Sequence, residues 1–275
     1  MAIIAISHAM GAGGPEIGTA LAQRLGYRHV DQELISETAT RYGLLEEKLA
    51  HLDESRPSLF ERFDVETRRY ITAIQTALYE FAEGDNVILV GRGGQWLLRG
   101  VPHALRIRVM APFELRVKRM LKKMSEQMGE GANIRTITDM VRRDDTERSA
   151  RMRYLYEVEL GNLALYDLVV NTEKLSPEAA AEVISATVRS PELATTEAGR
   201  QLVADRALAS RVQVALAAHP QARKYRVIVE ARQGVVTLEG TSALEQATEV
   251  ARGVPGVIDV KAQPVEIPPI PPFVA

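Results

Sequence analysis

Ala2-Ile3-Ile4-Ala5-Ile6-Ser7-His8-Ala9-Met10-Gly11-Ala12-Gly13-Gly14-Pro15-Glu16-Ile17 opens the chain and decides how the rest of it is read. Residues 2–6 form a short apolar, β-branched run, the pattern of a strand buried on both faces of a parallel sheet. From Pro15 onward, Ile17, Leu21, Ala22 and Leu25 fall on one face of a helix. Strand, glycine-rich turn and helix together aim backbone N–H groups and the positive end of a helix dipole at an anion. Gly11, Ala12, Gly13 and Gly14 are therefore the candidate phosphate cradle. A nucleotide loop of this shape continues with a lysine for the β- and γ-phosphates and a Ser or Thr for Mg²⁺. Here Gly14 and Pro15 hold those places, with Glu16 after them. Taken alone, the stretch also suits a plain turn between a strand and a helix, where glycines allow close packing.

Outward from this stretch, strand and helix signals alternate to about residue 190. Strands are expected at 27–31, 87–90, 105–109 and 165–170, and helices at 33–42, 65–83, 112–128 and 134–160. Ser176-Pro177-Glu178 supplies a cap and a first-turn proline for one more helix. Residues 44–64 are charged and broken by Pro57, and Gly129-Glu130-Gly131 reads as a flexible break. Alternation of this kind calls for an α/β fold, a parallel sheet covered by helices on both faces. Arg106 and Arg108 in one strand are awkward there, unless they emerge at an edge or point into a site. Residues 189–205 are polar and weakly patterned, as expected of a linker with some helix. Beyond them a helix at 207–218, strands at 225–231 and 235–239, a helix at 244–252 and a strand at 257–260 describe a small α+β unit of order αββαβ. The proline-rich tail, 265–275, is expected to be extended. The domain division expected is 1–188, a linker at 189–205, 206–264, and the tail.

Composition narrows the function classes. The 275 residues are 46% hydrophobic and 25% charged, with a net charge of −2, so no global field draws the protein to nucleic acid or an anionic membrane. There are no cysteines, which excludes disulfides and thiolate metal sites. No signal-like or membrane-spanning segment is expected, and the cytoplasm is the expected location.

Ligands of a parallel sheet bind beyond the carboxyl ends of its strands. Three segments converge there: the first loop, Asp31 after the second strand, and Gly91-Arg92-Gly93-Gly94 after the strongest one. Glycines on both sides of Arg92 let a phosphate approach its guanidinium fork, although an arginine that pins the loop to a carboxylate fits the same pattern. Arg142-Arg143-Asp144-Asp145-Thr146-Glu147-Arg148 is the other informative run. Asp144 with Arg148, and Glu147 with Arg151, are spaced to pair on a solvated helix. Alternatively Arg142, Arg143 and Arg148 belong to a basic lid that stabilises charge on a transferring phosphoryl group. His8 is expected to make a local hydrogen bond rather than act as a base, and Trp96 to pack beneath the Arg92 loop.

Together, residues 4–17, the run Tyr27-Arg28-His29-Val30-Asp31-Gln32-Glu33-Leu34-Ile35, Val90-Gly91-Arg92-Gly93-Gly94, the Arg142–Arg148 run and Tyr166-Asp167-Leu168-Val169-Val170-Asn171-Thr172 resemble the cytidylate kinase-like family of P-loop proteins. The resemblance implies a P-loop-type parallel sheet and phosphoryl transfer from ATP, with Mg²⁺, to a nucleoside monophosphate. It places the donor phosphates on Gly11, Ala12, Gly13 and Gly14. The acceptor falls to Arg92 with Asp31 nearby, and the lid role to Arg142, Arg143 and Arg148. True cytidylate kinases resemble Gly-Lys at the loop, and the kinase-like branch Gly-Gly-Arg; this chain has Gly-Gly-Pro. Losing a charge-assisted contact of that kind could cost about 3–4 kcal/mol of barrier if nothing replaces it, so a catalytically weak nucleotide sensor is the alternative. Gly234-Val235-Val236-Thr237-Leu238-Glu239-Gly240 and Val254-Pro255-Gly256-Val257-Ile258-Asp259-Val260 resemble a BON domain. That resemblance implies a binding module, often for lipid surfaces or other ligands; the small net charge and the lack of a signal-like segment favour contact with a protein or a small ligand instead.

Overall fold

The computed structural model describes residues 1–42, 65–128, 133–224, 227–242 and 244–265. The charged stretch 44–64, the break at 129–131 and the tail from residue 266 lie outside them. Five strands form one sheet: β1 (Ile3–His8), β2 (Arg28–Val30), β3 (Val87–Val90), β4 (Ala104–Met110) and β5 (Leu168–Asn171), in the order β2-β3-β1-β4-β5. Every pairing is parallel, with Ile3 opposite Val87 on one side and Ala104 on the other.

Side-chain alternation along β1 makes two cores. Ile3 and Ala5 face one side, packing with Val30, Ile35, Leu78, Val87 and Leu89. Ile4 and Ile6 face the other, packing with Ile17, Leu21, Ile88, Leu105, Ile107 and Ile184. Helices α1 (Gly14–Leu25) and α7 (Pro177–Val188) cover the second face. The first is covered by α2 (Gln32–Thr40), α3 (Val65–Glu83) and the short α4 (Gly94–Leu97). Between β4 and β5 run α5 (Phe113–Met128) and α6 (Ile134–Tyr156), joined by a small apolar cluster of Val117, Ile137 and Val141. A 3-10 turn, Leu163–Leu165, occupies the start of the strand expected at 165–170, so β5 begins at Leu168.

The stretch 189–205, expected as a linker with some helix, carries its helix mostly in the second half. It holds a 3-10 turn at Pro191–Leu193 and then the opening of α8 (Glu197–Ala218), which the Thr196 hydroxyl caps by accepting from the Gly199 N–H at 3.1 Å. Helix α8 serves two cores at once. Val203 and Val214 pack into the first core of the large sheet, while Leu208, Val212 and Leu216 pack into a separate C-terminal cluster. Within 189–205 itself Val203 is the one buried hydrophobic residue, with Leu193 and Leu202 partly buried, so the stretch has too few apolar positions to show a stripe. The remainder is β6 (Ile228–Arg232), β7 (Val235–Gly240), α9 (Leu244–Arg252) and β8 (Asp259–Pro264). Strand β7 is central, antiparallel to β6 and parallel to β8, completing the αββαβ order.

The two units meet along α3 and α8. Thr76 Oγ1 lies 2.6 Å from Ser210 Oγ and donates to the Ser210 carbonyl at 3.1 Å, with both residues buried. Arg211 pairs with Glu83 at 2.8 Å, and Arg206 donates to the Leu97 carbonyl at 2.9 Å.

Candidate active site

The loop after β1 turns through Gly11 and Gly13, both at positive φ (75° and 88°), and enters α1 without a side-chain cap. The first-turn N–H groups of α1 thus have no capping side-chain oxygen, as an anion site requires, although Pro15 contributes no N–H. Gly11 is obligatory here: a Cβ would sit 2.6 Å from the Arg116 carbonyl oxygen at the start of α5. At Gly14 a Cβ would sit 2.4 Å from His8 Cγ and 2.5 Å from His8 Cβ. The imidazole at the end of β1 thus fills the space that a side chain at position 14 would need, so His8 and a lysine at 14 exclude each other. Burial, reinforced by the Arg148 charge, lowers the His8 pKa to about 3, so the ring is neutral near pH 7. Its Nδ1 lies 3.3 Å from the Ala9 carbonyl, the local contact expected from sequence.

A groove lies in front of this loop, lined by Gly11, Ala12, Gly13, Pro15 and Glu16 on one side and by Arg119, Lys122, Lys123 and Arg148 on the other. Gly14 is turned under His8 rather than into the groove. Arg116, Arg119 and Lys122 recur every third residue of α5, a spacing that puts them on neighbouring positions of one helix face. Arg119 donates to Thr172 Oγ1 at 2.9 Å and to its carbonyl at 2.7 Å. Arg116 makes a bidentate pair with Asp145 of α6 at 3.0 and 2.7 Å. Arg148 donates to the His8 carbonyl at 2.7 Å and pairs with Asp144, so α6 is latched onto the loop.

On the other side of Arg148 is a cavity of about 170 Å³. Its walls are Tyr70, Ile71 and Ile74 of α3, Gly91, Arg92, Gly93 and Gln95 after β3, and residues of α6 from Asp144 to Tyr156. Arg92 stands at φ +56° between Gly91 at +89° and Gly93 at +80°. Three successive left-handed residues are a strained turn of the kind concentrated at ligand sites. The turn brings the Arg92 guanidinium to Ser36 Oγ at 2.8 Å and Tyr70 Oη at 3.4 Å. Burial raises the Tyr156 pKa to about 12, so that ring is a neutral wall.

Arg148 lines both the groove and the cavity. The other expected site residues are dispersed. Asp31 caps α2, accepting from the Leu34 N–H at 2.9 Å, and lines neither space. The Arg142 guanidinium lies over the Phe113 ring, 5.4 Å from its centroid. Arg143 pairs with Glu147 at 2.7 Å, its side chain 73% exposed. Arg108 donates at 2.9 Å to the Oγ of Ser7, a residue that lines the cavity, whereas Arg106 pairs with Asp167 at 2.6 Å. Sequence reading missed Arg116, Arg119, Lys122 and Lys123. The three-residue spacing of Arg116, Arg119 and Lys122 was the available signal, and Lys123 adjoins the last of them. Gln95 and Tyr70 carried none.

Residues 3–174 match the cytidylate kinase-like family. This chain belongs to that family. Residues 204–265 match the BON domain. A cytidylate kinase of Pyrococcus horikoshii is 26% identical over 187 residues, covering 68% of this chain and 88% of its own. One from Methanocaldococcus jannaschii is 28% identical over 189 residues, covering 68% and 97%. Among solved structures, an uncharacterized protein from Eubacterium ventriosum superimposes with a TM-score of 0.54 at 21% identity, covering 68% of this chain and 97% of its own. The cytidylate kinase-like chain thus carries the kinase-like fold together with a BON domain. Among its described residues no helix is long and apolar enough to cross a membrane.

Proposed function

We propose that this protein transfers a phosphoryl group from ATP to a nucleoside monophosphate, the donor in the groove before α1 and the acceptor in the cavity beside Arg92. The observation that carries this reading is Arg148, which lines both spaces and is fixed to the loop by the His8 carbonyl. A phosphoryl group in transit passes its guanidinium, which offsets charge developing on the equatorial oxygens. Uncapped amides of α1 hold the donor phosphates, and Arg119, Lys122 and Lys123 supply the positive charge that a loop lysine supplies elsewhere. Arg92 aims the acceptor phosphate.

The residues fit a triphosphate better than they fit a protein-held metal. Among the described residues no three His, Cys, Asp or Glu gather into an ion site. Glu16 and Glu126 are the carboxylates lining the groove. Mg²⁺ suits this arrangement as an ion carried largely by phosphate oxygens and water, where it would neutralise donor charge. The chain's own residues then bind, align and exclude water.

The test is a coupled turnover assay with ATP, Mg²⁺ and cytidylate, run on the wild type and on Arg148→Ala. Wild-type turnover should fall by roughly 10²–10³ in the variant, the usual cost of one donor to the transition state. Equal turnover in both proteins removes Arg148 from the mechanism, and no turnover in either leaves a nucleotide-binding sensor. The sensor reading has one observation in its favour. Helix α3, which walls the cavity with Tyr70, Ile71 and Ile74, is locked to the BON-domain helix α8 through Thr76 and Ser210. A ligand that shifts α3 would be felt in the second unit, where a protein or small ligand would respond.

A further inference from the structure

Strand β8 is an edge of the C-terminal sheet, paired on one side with β7. Val265 N–H donates to the Gly240 carbonyl at 3.0 Å, and in a parallel ladder every second residue turns both backbone groups toward the same neighbour. Asp259, Lys261 and Gln263 therefore turn their backbones to β7, and Val260 and Ala262 turn theirs to the free side. There the Val260 N–H finds the adjacent Asp259 Oδ1 at 2.8 Å instead of a ladder carbonyl. Pro264, next in that series, has no N–H to leave unmade, the usual place for proline in a sheet. Among the described residues no strand lies beyond β8. A groove runs between this strand and α9, lined by Ala262, Pro264, Leu244, Thr248 and Arg252. Ile258, at the entry to β8, is 81% exposed. An unpaired edge beside a partly apolar groove is a template for an added strand.

We propose that this edge pairs with the same edge of a second copy of the chain, β8 antiparallel to β8 about a two-fold axis, so that the two three-stranded sheets become one. The register follows from charge. Val260 packs into the C-terminal core, so Asp259 and Lys261 on either side of it point to the opposite, solvent face. Across the ladder they stand opposite Val235 and Thr237, and neither meets an opposite charge there. With Val260 opposite Val260 of the second copy, Asp259 comes opposite Lys261 of that copy, and Lys261 opposite its Asp259. Both pairs fall at non-hydrogen-bonded positions, where facing side chains are closest. The same register sets the exposed Ile258 opposite Ala262 of the second copy, covering an apolar side chain at each end. Centring the pair on Asp259 or on Lys261 instead puts like charges face to face. A contact of one patch with itself closes at two copies. This proposal is independent of the phosphoryl-transfer reading.

Sedimentation velocity of the full-length protein tests this. A contact of this extent lies at the small end of specific interfaces, so a dimer dissociating at roughly 10–100 μM is expected, within a scan from about 1 to 500 μM. Asp259→Lys sets Lys opposite Lys at both symmetry-related positions, and Lys261→Asp sets Asp opposite Asp. Each variant alone should dimerise at least about tenfold more weakly than wild type. An equimolar mixture of the two should recover the dimer, because every facing pair is then Lys with Asp. The double variant Asp259→Lys with Lys261→Asp should dimerise like wild type for the same reason. Both positions are exposed, so an unchanged thermal midpoint is expected of each variant, and Lys261→Glu serves as a second acidic replacement if Lys261→Asp lowers it. Recovery in the mixture is a result that a merely structural role for these side chains would not produce. A wild type that stays monomeric over the whole range leaves the edge to another occupant and overturns the proposal. So does growth beyond two copies, a dimer that folded charge variants leave unchanged, or a mixture that fails to recover what both variants lost.

Discussion

Replacing Gly14 by alanine should destabilise the protein, and replacing His8 by glycine should cancel most of that cost. The new Cβ would meet His8 Cγ at 2.4 Å, Cβ at 2.5 Å and Cδ2 at 2.7 Å. Rotating the imidazole relieves the ring contacts but leaves His8 Cβ, which is fixed by the β1 backbone. Backbone must therefore shift, at an overpacking cost of about 1–3 kcal/mol. Against it stands the gain of about 0.5–1 kcal/mol from removing a helical glycine. Gly14→Ala in the wild-type background should thus lose about 1–2 kcal/mol net. In the His8→Gly background the collision is absent and the same substitution should be neutral or slightly stabilising. Urea unfolding of the four proteins of the cycle reads the coupling directly, about 2 kcal/mol expected. Equal losses in both backgrounds would show that His8 does not occupy the position-14 space, and the account of the absent lysine would fail. If the account holds, the double variant His8→Gly with Gly14→Lys should accept the lysine without loss of fold, and ATP affinity should rise.

Three further predictions follow from the same geometry. His8 is neutral when folded, with a pKa near 3 against 6.5 in the unfolded chain, so the unfolded state binds the extra proton between those values and stability falls as pH drops. From pH 7 to 5 this group alone should remove about 2 kcal/mol, and His8→Gly should unfold with that much less pH dependence; parallel curves would refute it. Thr76→Val strands the buried Ser210 hydroxyl at the contact of α3 with α8, and should cost about 1–3 kcal/mol in denaturant unfolding of the full chain. No loss would show that the two units are not joined there. Arg119→Ala should weaken ATP binding by about tenfold, because Arg119 lines the groove, whereas Arg143→Ala should change it by less than about twofold, since that side chain pairs with Glu147 in solvent. The reverse order in calorimetry would move the donor site away from α5.

Much of the fold could be read along the chain because it depends on local pattern. The alternation of apolar runs with helical stripes gives a parallel sheet, and Ile3 and Ala5 against Ile4 and Ile6 divide its two faces as the period of two requires. Helix α8 was read only from residue 207, ten residues late, because 197–206 holds few apolar positions and Val203 is its one buried hydrophobic residue. Within the basic run of α6, spacing foresaw the Asp144–Arg148 pair, seen at 3.0 Å, and missed the pair of Glu147 with Arg143 at 2.7 Å. Spacing permits an i,i+4 partner on either side of Glu147, so it names candidates without ranking them.

By itself the sequence determined the strand–loop–helix start, the missing lysine at position 14, the arginine after β3 and the αββαβ order of the last unit. Those are matters of which residue follows which. Only the tertiary structure decided that His8 covers Gly14, that Arg148 alone of the three lid candidates reaches both the groove and the cavity, and that Gln95 lies buried beside a thioether. Each depends on where segments far apart in the chain come to rest against one another. No local propensity encodes that meeting; it is set when α3, α5 and α6 pack around the carboxyl ends of β1 and β3.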